Sequence, residues 1–298
     1  MEPDGILLID KPQGITSHDA VFRLRRLLRT KKTGHTGTLD PDATGLLVVL
    51  AGRAAKAAEY ITANDKTYEA TLKLGLATDT QDITGAVISR SDDLPEPEEV
   101  IAAAKSFTGV YSQIPPMYSA LKRDGRKLVD LARRGIEIER EAREVNISEL
   151  DAAPLGDGLY SLKVSCSGGT YIRTLCDDIG KKLGCGGCMA SLRRLRSGGY
   201  DVKDAIPLKD CESLSYEQLC GRLIPTETLF ADLPVLTLGG FFLKLCKSGC
   251  EIYEKKIGVS YAPGTRLRLY DEDGFFALGE VREYEEGAAV KSIKVFRL

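Results

Sequence analysis

Apolar and polar positions change rhythm several times along the chain, and each rhythm predicts an element. Ile6 to Ile9 form an unbroken apolar run closed by Asp10-Lys11-Pro12-Gln13-Gly14, the pattern of a strand followed by a turn. Thr16 or Ser17 is placed to cap a helix reaching about Leu28, with Val21, Leu24, Leu27 and Leu28 at helical spacing. Gly34 to Pro41 shows neither helical nor strand period and reads as a polar loop. Ala43 to Leu50 is apolar enough to be buried, and Ala54 to Tyr60 starts a further helix. Tyr68 to Leu74 alternates as a strand does, and Pro97 to Phe107 reads as a helix. Val145 to Leu150 and Tyr160 to Ser165 predict two strands joined through Pro154-Leu155-Gly156-Asp157-Gly158, followed by a helix from about Tyr171 to Leu183. Asp204 to Arg222 is helical or irregular, ending near Pro225.

Two segments depart from this rhythm. Ser112 to Gly135 carries Pro115-Pro116, several cations and two late glycines, and reads as a mobile, exposed insertion with a short helix around Leu128 to Arg133. From about Leu233 to Leu298 helical periodicity fades and short strands alternate with turn signals at Pro263-Gly264 and Asp271 to Gly274, predicting a separate small β domain.

Composition narrows the class. The chain has 298 residues, 43% hydrophobic and 28% charged, as in an ordinary globular protein of about two domains. Its opening residues lack a basic stretch and a long apolar run, so neither a signal peptide nor a membrane span is expected, and a cytoplasmic location is. Eight scattered cysteines then read as reduced thiols. The net charge of -2 argues weakly against a nucleic-acid partner, but phosphates respond to local charge. Three basic clusters stand out: Arg23 to Lys32, Lys122 to Arg134, and Arg193, Arg194 and Arg196. Each alone is as readily a solvated face.

The candidate chemistry is sparse. There is no glycine-rich P-loop and no complete dinucleotide fingerprint. His18 and His35 are the only histidines, which excludes most histidine-rich metal sites and leaves little room for a hydrolase triad. Cys185-Gly186-Gly187-Cys188 has no second pair at zinc-finger spacing. In Gly34 to Pro41, two glycines frame His35 and Thr36, and Asp40 is held extended by Pro41. An Asx-type turn explains those residue types as well as a ligand site does. Cys166 to Leu175 is a strand end, a glycine pair and a helix start bearing Tyr171 and Arg173; a buried Arg173 could hold and orient an aspartate, and a surface arginine on a capped helix is the ordinary alternative.

Taken in order, these residues resemble the TruB branch of the pseudouridine synthases. Gly34-His35-Thr36-Gly37-Thr38-Leu39-Asp40-Pro41-x-Ala43-Thr44-Gly45 is similar to its catalytic loop, preceded by Leu8-Ile9-Asp10-Lys11-Pro12-x-Gly14-x-Thr16-Ser17. Lys66-x-Tyr68, Asp79-Thr80-x-Asp82-x-x-Gly85, Gln113 to Lys122, Gly168-x-Thr170-Tyr171-Ile172-Arg173 and Leu192 to Gly198 continue it, over about residues 5 to 230. Cys188 stands where many members carry alanine or histidine, and His18 where a small polar residue is common.

The resemblance implies an α+β fold. A mixed-sheet catalytic domain with flanking helices would span 1–230, with an RNA-binding insertion at about 112–140. A PUA-like β-barrel would span 233–298. It implies Asp40 as the catalytic carboxylate, Arg173 as its partner, Tyr68 stacked on the target base, Tyr171 and Leu192 lining the pocket, and His35 contacting RNA beside the flipped uridine. The substrate would be uridine 55 in the T-arm of tRNA, acted on by a monomer with no obligatory protein partner. The reaction breaks N1–C1′ and joins C5 to C1′ without gain of atoms or electrons, so no cofactor or metal is expected. A non-catalytic tRNA-folding chaperone and a guide-RNA-dependent enzyme of the same superfamily are the rival readings.

Overall fold

The computed structural model describes residues 3–62, 65–119, 121–123 and 125–297, and the statements below concern those residues. The first unit runs β1 (Gly5–Lys11), α1 (Ser17–Leu27), β2 (Thr33–Thr36) and β3 (Thr44–Ala51). Next come α2 (Ala58–Thr62), β4 (Lys66–Leu74), a small hairpin β5 (Leu76–Thr78) and β6 (Val87–Arg90), α3 (Pro97–Lys105) and β7 (Gly109–Gln113). The chain continues through hairpin β8 (Lys122–Arg123) and β9 (Arg126–Lys127), α4 (Leu128–Ala132), β10 (Arg143–Gly156), β11 (Leu159–Cys166), α5 (Ile172–Lys182) and β12 (Gly187–Ser197). Short β13 (Tyr200–Asp201), β14 (Ile206–Pro207), α6 (Leu208–Cys211) and α7 (Tyr216–Cys220) close it.

Ten strands form one mixed sheet along the path β14-β1-β3-β12-β4-β11-β10-β7, with β2 added to β3 and β13 to β12. β1 and β3 are buried on both faces. Leu7 and Ile9 pack with Val21 and Leu24 of α1, while Ile6 and Leu8 meet Leu46, Val48 and Ile61. That double burial is why both runs are continuously apolar. β4 alternates instead: Tyr68, Ala70, Leu72 and Leu74 join Leu175 and Ile179 of α5 in the second core. Thr16 caps α1 as expected, closing a capping box with Asp19.

Four expectations are corrected. Gly34 to Thr36 is not loop but the edge strand β2, paired with β3 from Thr33↔Ala51 to Thr36↔Val48. β10 runs through Pro154 to Gly156, so the turn is confined to Asp157-Gly158. The segment after Ser112 is not wholly exposed: Gln113, Pro115, Pro116, Met117 and Ser119 are buried, whereas Arg123 and Arg126 on the hairpin and Arg133 and Arg134 after α4 face solvent. Ala120 and Asp124 of that segment lie outside the described residues. Finally, the third basic cluster is not one surface patch, because Arg194 is 1% exposed.

The C-terminal residues form β15 (Val235–Thr237), α8 (Gly240–Lys247), β16 (Ile252–Tyr253), α9 (Glu254–Ile257), β17 (Arg266–Asp271), β18 (Gly274–Tyr284) and β19 (Gly287–Val295). Their five strands make a second sheet, β15-β17-β18-β19-β16, around Leu267, Leu269, Phe276 and Val290. The α+β class expected from the sequence is the observed one, though α8 is a helix inside the stretch read as short strands and turns.

Candidate active site

A cleft of about 780 Å³ opens over the middle of the large sheet. Asp40, Pro41 and Asp42 border it from the loop before β3, Glu69 and Thr71 from β4, and Thr80, Asp82, Ile83 and Thr84 from the β5–β6 loop. Arg173 enters from α5, Leu192 and Arg193 from β12, and Tyr118, Val129 and Arg133 from the segment after β7.

At its floor lies a charge cluster. Arg173 Nη2 stands 3.4 Å from Asp40 Oδ2, and Nη1 stands 3.7 Å from Asp82 Oδ2. Nη2 also donates to the Tyr118 carbonyl at 2.8 Å. The Arg173 side chain is 9% exposed and that of Asp40 40%, so the guanidinium is a fixed buried group and the carboxylate faces the opening. Because Asp40 is open to solvent, screening reduces the pair's net attraction, and the contact's weight is in orienting the carboxylate.

The loop bearing Asp40 is fastened from several elements. Ser17 Oγ accepts from Leu39 N at 2.8 Å and donates to Leu39 O at 3.0 Å. Lys11 Nζ donates to Pro12 O, Ile15 O and Pro41 O at 2.9, 2.8 and 3.0 Å, and Gly14 N donates to Pro41 O at 2.9 Å. From β12, Arg194 Nη2 donates to Gly37 O at 2.9 Å and Nε to Leu46 O at 2.7 Å. The strands meet so closely there that a Cβ on Gly45 (φ +98°) would fall 2.3 Å from Arg194 O. Arg193, by contrast, points outward to form a two-pronged pair with Asp10 at 3.0 and 2.7 Å.

A second fastening holds the start of α5. Tyr171 N donates to Gln113 Oε1 at 2.8 Å, and Gln113 Nε2 donates to Tyr171 O at 3.0 Å. The Asp82 carboxylate accepts from Thr80 Oγ1, Thr84 N and Thr84 Oγ1 at 2.9, 3.0 and 2.6 Å. Gly85 must be glycine, since a Cβ there would meet Thr80 Oγ1 at 2.2 Å.

Of the residues singled out in the sequence, Asp40, Arg173 and Leu192 line the cleft together. Tyr68 and Tyr171 do not line it but are close enough to feel the Asp40 charge; burial pushes both hydroxyls up. The Tyr68 ring is 8% exposed and its hydroxyl lies beside the Arg194 guanidinium. His35 sits on β2 and does not line the cleft. Burial, then the Arg194 charge, pushes its imidazole down, and its Nδ1 has no hydrogen-bond partner. The sequence marks Ser17 only as a helix cap and Arg194 only as part of a basic run, and gives Lys11 and Gln113 no role of their own; the ordered motifs contain all four, but nothing in their residue types marks a buried anchor. The eight cysteines are free thiols. Cys185 and Cys188 are buried, and burial pushes the Cys188 thiol up to about 11.

The TruB family pseudouridylate synthase N-terminal domain matches residues 25–172, and the tRNA pseudouridylate synthase B C-terminal domain matches residues 173–231. The chain belongs to the TruB family. It is therefore a pseudouridine synthase, an isomerase. A tRNA pseudouridine synthase B of Geobacter sulfurreducens is 43% identical over 301 residues, covering 99% of each chain. One from Aromatoleum aromaticum is 42% identical over 277 residues, 93% of this chain and 88% of that protein. Among solved structures, an H/ACA RNP bound to a substrate RNA containing 2′-deoxyuridine superposes with a TM-score of 0.69 at 23% identity, over 100% of this chain and 86% of that one. At that identity the likeness concerns the synthase fold alone.

Proposed function

We propose that this TruB family chain converts uridine 55 of the tRNA T-arm to pseudouridine, with Asp40 as the catalytic carboxylate. The observation that carries the reading is the Asp40–Arg173 pair, 3.4 Å apart, at the floor of an open cleft with the carboxylate turned outward. A uridine inside a folded T-loop cannot reach that floor unless it leaves its stack, at a cost of a few kcal/mol. Stacking of the base against an aromatic ring such as Tyr68 would return about 1–3 kcal/mol. Asp40 then acts as nucleophile or proton acceptor while N1–C1′ breaks, the uracil turns, and C5 joins C1′. The exposed cations of the α1 end, the β8–β9 hairpin and the end of α4, Arg26, Arg29, Arg123, Arg126 and Arg133, are placed to hold phosphates. His35, neutral at pH 7, would take up space beside the displaced base. The C-terminal sheet serves as a PUA-like RNA-binding domain, and the monomer works in the cytoplasm without a protein partner.

Asp40→Asn keeps the side chain's shape and removes its charge. Tritium release from 5-tritiated-uridine tRNA should fall by about 10²–10⁴-fold or more, with tRNA binding retained. Full activity of that variant would remove Asp40 from the reaction. Release from bare tRNA transcript, mapped to position 55, separates this reading from a chaperone and from a guide-dependent enzyme.

A further inference from the structure

We infer that Gln81 is a positioning residue that sets Arg173 against its two carboxylates. The inference rests on the reading of the Asp40–Arg173 pair as the reaction centre. Gln81 lies in the loop between β5 and β6, and its φ of 65° places it in the left-handed region. Glycine or asparagine fills that region at least cost, and other residues persist there only when their surroundings hold them.

Here the side chain supplies the hold. Gln81 Oε1 accepts from Thr174 Oγ1 at 2.7 Å, and Nε2 donates to Asp177 Oδ2 at 2.8 Å. Both partners are on α5 and buried: Thr174 directly follows Arg173, and Asp177 is one turn on. The main chain is used as well. Gln81 N donates to Thr78 O at 3.2 Å, and Gln81 O accepts from Met189 N at 3.0 Å, stitching the loop to β12. The next residue, Asp82, reaches Arg173 Nη1 at 3.7 Å. Covalent neighbours and contacts therefore close a ring: Arg173, Thr174, Gln81, Asp82 and back to Arg173. In that ring the loop meets α5 twice, and the Gln81 amide makes the shorter contacts, at 2.7 and 2.8 Å against 3.7 Å for Asp82. Thr80, Asp82, Ile83 and Thr84 line the cleft, and Gln81 does not. Its effect on the reaction is through Arg173 and Asp82.

The test compares single-turnover rate and tRNA affinity for wild type, Gln81→Ala, Gln81→Gly, Asp82→Asn and the Gln81→Ala/Asp82→Asn double variant, with Asp40→Asn in the same assay. Gln81→Ala should slow the chemical step about 10- to 100-fold with affinity within about twofold. Asp82→Asn should then cost markedly less in the Gln81→Ala background than in wild type, because both act on one ring. Gln81→Gly, which releases the backbone but lacks the amide, should be as slow as Gln81→Ala. Strictly additive losses, or a full rate in Gln81→Gly, would overturn the assignment. If Gln81→Ala does not fold, Gln81→Glu keeps the size and sets a second carboxylate against Asp177. Its rate relative to wild type should fall as pH rises, and a ratio independent of pH overturns the proposal. An active Asp40→Asn would instead strike the reading on which the inference rests.

Discussion

Tyr68 shows how far a single side chain carries two jobs. Its ring belongs to the core under β4, with Ile172, Leu175 and Leu192, while its hydroxyl lies beside the buried Arg194. Tyr68→Phe keeps the ring and should cost about 1 kcal/mol of stability, the scale of one hydrogen bond, with a small loss of rate. Tyr68→Ala should cost about 3–5 kcal/mol, as other aromatic deletions in cores do, and lose far more rate. Thermal unfolding and single-turnover kinetics read the two effects separately; equal losses of rate would assign the role to the hydroxyl. At this scale the sequence was informative about identity and silent about direction. Asp40 and Arg173 stood out, and they do meet. Arg193, Arg194 and Arg196 read as one basic run, yet strand alternation sends Arg193 out to Asp10 and Arg194 inward to Gly37 O and Leu46 O. A guanidinium that holds carbonyls inside a protein has no signature in a run of arginines.

Among elements, the loop from Gly37 to Pro41 owes its shape to β1, α1 and β12 rather than to its own residues. Lys11 at the end of β1 carries a testable consequence. Burial pushes its ammonium down from 10.5 to about 8, against the raising effect of Asp42 and Asp40. Between those values the unfolded chain binds the proton more tightly, so this group adds stability as pH rises from about 8 toward 10.5. Loop geometry moves the other way: an ammonium offers three donors to the three carbonyls it meets, and the neutral amine offers two. Turnover should therefore decline above about pH 8 with no matching loss of stability from Lys11. Lys11→Met should be slower at pH 7 and lack that decline in a pH–rate profile; a persisting decline would place its origin elsewhere. The longer elements were legible because one face or both are apolar. β2 was not, since Gly34 interrupts it and the run is too short to alternate, and it forms an edge strand by pairing with β3 alone. β10 passes through Pro154 because its β7 partner ends opposite Ile147, leaving that stretch an edge on which no N–H is needed.

The whole molecule joins its two sheets through a small aromatic junction. Ala57, Phe230, Leu278 and Phe296 form one buried cluster, with Tyr60 edge-on to Phe230 at 5.1 Å. Lys294 pairs with Glu59 at 2.6 Å, and Lys56 Nζ donates to Val295 O at 2.8 Å. Phe230→Ala should cost about 3–5 kcal/mol and uncouple the sheets. In calorimetry the C-terminal sheet should then melt in a separate, earlier transition; one unshifted transition would count against such coupling. The change of pattern near Leu233 lies just before β15, the first strand of the second sheet. The junction itself was hidden, because Ala57 and Phe296 are far apart along the chain and unremarkable where they stand. Among the described residues no helix is long and apolar enough to cross a membrane.

Anchored by Ser17, Lys11, Gly14 and Arg194, the segment under the opening has no slack with which to travel. On the reading proposed above, this segment stays in place and the target base comes to it. On that reading, the ease with which a hairpin gives up one of its bases would become part of the barrier, and two RNAs with identical targets and different loop stiffness would be different substrates.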